Sequence, residues 1–530
     1  MTTGFPDYDL LIVGMGPVGA VAANLAGQAG FRTLVIEQDS EPYKLPRAIV
    51  FDSEIMRVFA SIGLADEIPA VTKPLGGSVY LGADRKPIRT FRAHPRAHPI
   101  AWYPSNLFYQ PQLETIIRAG LSRYPNVTVM SGHRLTDVAQ DESGVTARAT
   151  DATGATIEIG ARYLFACDGA SSAVRKALAI PLDDIGFEER WLVIDTNVHG
   201  PMRWPDTHEI PPEVRSNAFS LMVCDPERPA TLIPGRGTHR RWEYMLLPGE
   251  RDADVVTPDW LRTQIGCWID PDHVEIIRTA VYRFRALVAH RWRAGRVMLL
   301  GDAAHQTPPF FGQGMCHGIR DAAQLIWKLK LVDSGVADHG LLDSYQVERE
   351  PHVRAIVNAS VAAGAEVCKL DPAEAVARDA AFRAIECERA GQVAMTDIVP
   401  PIRDGIIDMK SGGMRLPEFV VLDSGVERHI DTLLDGRFTL LTLDPFDTPP
   451  EWDAIDGHIV DITDADADGR MTGWLGERAA RWIIVRPDRY IYATGSGDPA
   501  PVMATLFDHL HLRRAAAPDQ PTVSMEANRT

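Results

Sequence analysis

The chain has 530 residues and carries 54 Lys+Arg against 71 Asp+Glu, a formal net charge of −17. Hydrophobic residues make up 45% and charged residues 24%, which excludes a disordered or fibrous chain, and the length suits roughly two to four domains. The acidic balance argues against non-specific binding to nucleic acid or anionic membrane, and no stretch reaches the ~20 apolar residues that span a bilayer.

The opening MTTGFPDYDLLIVGMG has no basic segment followed by a cleavable apolar one, so a cytoplasmic chain without a signal peptide is expected. Tyr8 to Gly14 is an apolar, β-branched run ending at glycine. Pro17 to Gly30 reads as a small-residue helix, and Thr33 to Ile36 as a second strand with Glu37 at its tip. From Asn126 to Cys167 the pattern alternates with period two, predicting a small antiparallel sheet that returns to the parallel one at ARYLFACDG. WLVIDTNV, AFSLMVC, ATLIPG and RRWEYMLL predict an inserted β-layer. RVMLLGDAAH is again a strand, followed by helices over Gly314 to Val332 and Leu342 to Glu366. Pro400-Pro401 and Ser411-Gly412-Gly413 mark a linker before a last αβ module. The expected domains are a discontinuous nucleotide-binding unit (1–75, 110–185, 286–365) and a substrate-binding β-layer (76–109, 186–285). A helical region and linker (366–410), a C-terminal module (411–515) and a loose tail (516–530) complete the chain. Cys167, Cys224, Cys267, Cys316, Cys368 and Cys387 lack metal or C-x-x-C spacing, so buried free thiols and no metal site are expected.

Three strand-end motifs carry the chemistry. Gly14-x-Gly16-x-x-Gly19 follows a strand and opens a helix at Pro17. The first glycine allows a tight turn, the second admits a pyrophosphate, and the third lets helix and strand pack closely. Glu37, 23 residues after Gly14, is placed to accept ribose hydroxyls. On this motif alone, FAD and NAD(P) are not separated. Cys167-Asp168-Gly169 and Gly301-Asp302-Ala303 each end an apolar strand in an acid beside glycine. Gly312-Gln313-Gly314 then enters a helix whose N-terminus offers N–H groups to an anionic flavin edge.

These motifs, in this order, resemble the class A flavoprotein aromatic hydroxylases built on the para-hydroxybenzoate hydroxylase fold. PRAIVFDSE, YQPQLE, ACDGASSAVR, WLVIDTNV, RRWEYMLLPGE and GDAAHQTPPFFGQGMCHGIRDAAQLIWKL carry the likeness, which runs from about Tyr8 to Pro351. Past Pro400 it fades to similarity with the thioredoxin-like C-terminal domain of larger phenol hydroxylases. The resemblance implies an α/β fold: a Rossmann-like FAD-binding domain with an inserted β-sheet substrate domain, plus a thioredoxin-like C-terminal domain. It implies that Glu37 binds the adenosine ribose, and that Arg47 reaches the FAD phosphate or ribose. Gln110 would contact the flavin side, Asp302 the ribityl chain and Asp168 the pyrophosphate region. The Gly312, Gly314 and Met315 backbone would cradle the flavin pyrimidine, and Pro309 would line its oxygen-reactive face.

The implied reaction uses NADH or NADPH, O2 and FAD to hydroxylate a small phenolic acid ortho to its hydroxyl through a flavin C4a-hydroperoxide, with 3-(3-hydroxyphenyl)propionate as the nearest substrate. The same chemistry on another phenol or on a larger polycyclic aromatic stays open, as does an FAD-dependent dehydrogenase without oxygenation. A homodimer also stays open. No residue that activates the phenol is identified; Pro309, Tyr244 and His317 are pocket candidates, with Tyr103, His208 and Tyr282 beside them. Met315, Cys316 and His317 depart from the aromatic residue and Asn that many members carry, and His317 is expected to cap its helix or face solvent. Arg190, Arg215, Arg240 and Arg241 could meet a carboxylate. Arg240 and Arg241 alternate across a strand, so only one could face the pocket, and solvated surface charge is expected for three of the four. The C-terminal module has no cysteine and is expected to pack rather than perform dithiol chemistry.

Overall fold

The computed structural model describes residues 7–41, 47–204, 212–215, 218–389 and 399–513. His208 and the tail expected over 516–530 lie outside the described residues. The run Leu10, Leu11 and Ile12 is fully buried, as suits a strand covered on both faces. The Tyr8–Val13 strand therefore sits inside a parallel sheet, between Thr156–Ala166 and Thr33–Glu37, with Val297–Leu299 and Val127–Ser131 outside them. The first half of Thr156–Ala166 pairs instead with Val145–Thr150, which pairs with Arg134–Gln140; both pairings are antiparallel, as the period-two pattern predicts. Helices Pro17–Gln28 and Gly314–Asp333 pack closely because small residues meet. A Cβ on Gly318 would stand 2.4 Å from Val18 Cγ2 and 2.9 Å from Gly301 Cα.

The second sheet has eight strands, ordered His305–Gln306, Val274–Ala289, Leu182–Val198, His239–Met245, Ala230–Pro234, Phe219–Val223, Gly77–Leu81 and Pro87–Arg92. One face packs Leu192, Ile194, Leu221, Leu232, Trp242 and Tyr244 around the helix Pro258–Gly266. The other face looks toward the parallel sheet. His239–Met245 is buried at every position because both faces are covered. A small third sheet joins Val50–Asp52, Ser105–Phe108 and Thr72–Pro74.

The C-terminal part holds a four-stranded sheet ordered His458–Asp461, Thr439–Thr442, Trp482–Val485 and Ile491–Gly495, followed by the helix Ala500–His509. Buried ion pairs tie it to the rest. Arg57 donates to Asp431 at 2.8 Å and to the Leu416 carbonyl at 2.6 Å. Glu348 accepts from Arg486 at 2.7 Å and lies 3.1 Å from Lys328. Among the described residues, no helix is long and apolar enough to cross a membrane.

Candidate active site

The C-terminal ends of the parallel strands and the inner face of the second sheet enclose two adjoining cavities, of about 430 and 400 Å³. Both touch Gly16, Pro17, Arg47, Gln110, Cys167 and Gly169, so they form one two-lobed groove. This is the crevice outside the carboxyl ends of the strands, where open α/β sheets bind ligands.

The first lobe is lined by Gly14, Gly16, Glu37, Arg118, Asp168 and Ser171. Gly14 has φ +95°, and a Cβ there would stand 2.4 Å from the Cys167 carbonyl oxygen. A Cβ on Gly19 would stand 2.0 Å from the Gly14 carbonyl oxygen. At Gly16 a Cβ would meet no protein atom within 4 Å, so the added group would occupy the lobe itself. Each glycine thus has the physical reason that the turn motif requires. Glu37 reaches back over the turn and accepts from Met15 N at 2.7 Å and Asp39 N at 2.9 Å. Each carboxylate oxygen keeps a second lone pair for a ligand hydroxyl. Asp168 accepts from Val174 N at 3.0 Å through Oδ2, while its buried Oδ1 has no hydrogen-bond partner among the described residues. Burial raises its carboxyl pKa, offset in part by Ser172 and Val174.

Gln110 stands at the junction of the lobes. Its Oε1 accepts from the Arg47 and Ala48 backbones, both at 2.7 Å, and its Nε2 donates to Glu114 at 2.6 Å. It therefore fixes the loop carrying Arg47, whose side chain borders both lobes.

The second lobe is deeper and mostly apolar. Asp302, Pro309, Gly312, Gly314 and Met315 border it on one side. Gly312 has φ +64°, and Gly314 begins a 20-residue helix whose N-terminal positive end faces the lobe. Arg320 stabilises that entry, donating to Glu54 at 2.7 Å and to Gln313 at 2.9 Å. Asp302 is exposed and borders the lobe. Surrounding protein raises its carboxyl pKa, partly countered by His305 and Arg47.

The opposite wall is the inner face of the second sheet, where Trp191, Val193, Tyr80, Met222, Phe284 and Tyr282 supply a hydrophobic surface. Its polar members are Ser78, Ser220, Thr231, Arg241 and Glu243. Arg241 donates to Asp195 at 2.9 Å and to the Arg47 carbonyl, and Asp195 also meets His239 Nε2 at 3.0 Å. Burial alone would raise the Asp195 pKa, but His239 and Arg241 outweigh it and the net direction is down. Glu243 has no such company. Burial, reinforced by Asp195 and only partly relieved by Arg241, pushes its carboxyl up to about 7.

Several expected residues lie elsewhere. Tyr244 points to the far side of the sheet, where its hydroxyl donates to the Gln264 carbonyl at 3.1 Å and its ring packs on Trp260. His317 neither caps its helix nor faces solvent. It is fully buried behind the cavity wall, 3.3 Å from Arg349 and beside the rings of His305 and His352. Burial and Arg349 lower its pKa well below the usual value, so it is neutral. Tyr103 is exposed, and Arg190 pairs with Asp252. Neither these two nor Arg215 borders the second lobe. Arg240 and Arg241 are both buried, which corrects the surface-charge expectation, and of the two only Arg241 lines the lobe. Of the six cysteines expected to be buried, Cys267 and Cys387 are exposed. The sequence reading missed Tyr80, Trp191 and Glu243; a strand buried on both faces offers no polar alternation to single them out.

The open space at Gly16, the orphaned Asp168 oxygen and the helix entry at Gly314 fit a flavin dinucleotide spanning both lobes. Residues 7–360 match the family described as FAD binding domain, and residues 417–509 match the HcaD C-terminal domain. The chain belongs to that FAD-binding family and is an FAD-dependent aromatic hydroxylase. It is 33% identical over 531 residues to a probable NADH-specific resorcinol 4-hydroxylase of Rhodococcus jostii (strain RHA1), covering 97% of this chain and 96% of the relative. It is 29% identical to the 3-(3-hydroxy-phenyl)propionate/3-hydroxycinnamic acid hydroxylase of Escherichia coli (strain K12), covering 91% of each chain. In fold it is similar to aklavinone-11 hydroxylase in complex with FAD and aklavinone, with a TM-score of 0.76 at 22% identity, covering 96% of this chain and 99% of that one.

Proposed function

We propose that this protein is an NADH- or NADPH-dependent monooxygenase that hydroxylates a small, single-ring phenol. The observation that carries this reading is the two-lobed groove, one polar lobe joined to one largely apolar lobe at Gly16, Arg47 and Gln110. The adenosine and pyrophosphate would lie against Gly14, Gly16, Pro17, Gly19, Glu37 and Asp168, with Arg47 toward the phosphates. The flavin ring would sit beside Asp302, Pro309, Gly312, Gly314 and Met315. Bound FAD supplies the redox and oxygen-transfer chemistry. The protein contributes a dry aromatic wall, the positive end of the Gly314–Asp333 helix, and a fixed position for the substrate. A second lobe of about 400 Å³ shared with the flavin ring favours one aromatic ring over a polycyclic one. The relatives' names offer 3-(3-hydroxyphenyl)propionate and resorcinol as probes. We read the C-terminal part as a thioredoxin-like module that packs on the FAD-binding unit and performs no thiol chemistry, since its residues include no cysteine.

The test follows NADH oxidation, oxygen uptake and product mass in FAD-loaded protein with each probe. Stimulated oxidation with a product one oxygen heavier is the expected result. Reduction of the flavin without phenol-dependent oxygen incorporation would instead make the protein a dehydrogenase.

A further inference from the structure

Glu243 is 8% exposed, and what remains accessible borders the second lobe. Among the described residues it has no hydrogen-bond partner; its nearest cation is Arg241, whose Nη1 stands 4.0 Å from Oε1. Arg241 is already engaged by Asp195 and the Arg47 carbonyl. The strand on one side presents Val193 at the same register and Asp195 one step along, and the strand on the other side presents Thr231. The charged groups facing Glu243 are therefore Arg241 on its own strand and Asp195 on the next.

A carboxylate accepts hydrogen bonds and donates none, and a buried acceptor left unmatched is costly. The wall's nearby hydroxyls are turned elsewhere, Thr231 to Met222 Sδ at 3.4 Å and Ser220 to the Gly77 carbonyl at 3.4 Å, which leaves the cavity side of Glu243 for a ligand donor. A ring hydroxyl supplies it. A carboxylate-bearing side chain at the same place would set two anions together beside Arg241, which is already engaged by Asp195.

We propose that Glu243 receives a hydroxyl of the substrate ring, and that the cavity thereby selects an uncharged, hydroxyl-bearing ring over one carrying a carboxylate. This rests on the reading of the second lobe as the phenol site. Accepting that bond draws the proton toward Oε1 or Oε2 and raises electron density on the ring, the property that electrophilic hydroxylation needs. In the limit the proton rests on Glu243 and a phenolate remains.

The experiment titrates FAD-loaded wild type and Glu243→Gln with resorcinol and with 3-(3-hydroxyphenyl)propionate, reading the perturbation of the flavin absorbance, and then measures oxygenated product. Wild type is expected to bind resorcinol at least tenfold more tightly than the acid. Glu243→Gln, which keeps the shape but loses the charge, is expected to weaken resorcinol about tenfold or more and to narrow the preference. Resorcinol affinity should rise with pH through about 7 in wild type and lose that dependence in the variant. If wild type binds neither phenol, or if the variant keeps the same affinities and pH profile, the role of Glu243 is overturned. In the latter case continued hydroxylation leaves the functional reading standing. Binding that depends on Glu243 without any oxygenated product supports the site and overturns the monooxygenase reading instead.

Discussion

Two buried glutamates, one in the cavity wall and one at the seam with the C-terminal part, show what burial does with and without partners. Glu348 is 2% exposed and Glu243 8%. Glu348 meets Arg486, Lys328 and the Ile406 N–H, the last at 2.8 Å. Burial alone would raise its pKa, but Arg486 and Lys328 outweigh it and the net direction is down. Glu243, with one distant arginine, is pushed up to about 7. The same side chain at similar depth is locked as a carboxylate in one place and left ready to change state in the other. Full pairing suits a structural joint, whereas the unmatched carboxyl of Glu243, placed on a cavity wall, is the one we propose a ligand completes.

Glu348→Gln should have the largest effect, because it leaves buried Lys328 without its anion and Arg486 with Asp488 alone. We expect a loss of about 3–5 kcal/mol in denaturant unfolding at neutral pH. A carboxyl whose folded pKa is lowered contributes stability that is present above its unfolded pKa and lost as pH falls through the folded value. Wild type and variant should therefore converge in acid. Equal stability at pH 7 would remove the contrast.

Glu243→Gln should act with the opposite sign. A carboxyl raised to about 7 in the folded state costs stability once it ionises, so the variant should be more stable than wild type at pH 8, by about 3 kcal/mol, and equal to it near pH 4. A loss of stability at pH 8 would mean that Glu243 has a structural partner. Asp302→Ala should leave the fold intact and lower FAD affinity by roughly tenfold, from loss of one hydrogen-bonded contact to the cofactor. Full flavin retention through gel filtration would exclude that contact. Arg190→Ala, which removes a half-buried partner of exposed Asp252 at 2.7 Å and of the Glu250 carbonyl at 2.6 Å, should cost no more than about 1 kcal/mol.

Much of the nucleotide-binding half was readable because its signals are local. Tyr8–Val13, the glycine turn, Glu37 and the two later acid-glycine turns each declare themselves within a few residues, and the groove gathers them. The opposite wall of the second lobe was less readable. His239–Met245 is buried on both faces, so hydrophobic alternation could not say which of Arg240, Arg241, Glu243 and Tyr244 points inward. Geometry supplies the answer, with Arg241 and Glu243 two residues apart on one face and Tyr244 on the other. His317 misled for a similar reason. A polar residue in a first helical turn is commonly a cap, but here the turn is covered by Arg349, His305 and His352, which come from distant segments.

An enzyme of the proposed kind would work in the presence of dioxygen and so expose its own sulfur to oxidation. Cys167 borders both lobes, and Cys316 lies in the first turn of the helix that opens at Gly314. Burial pushes both thiols well above their usual range and keeps them protonated. The thiolate is the form that peroxides attack, so these two sulfurs are poor targets despite their position. Wear during turnover should therefore fall first on Cys267 and Cys387 at the outer surface, and the interior thiols should outlast them.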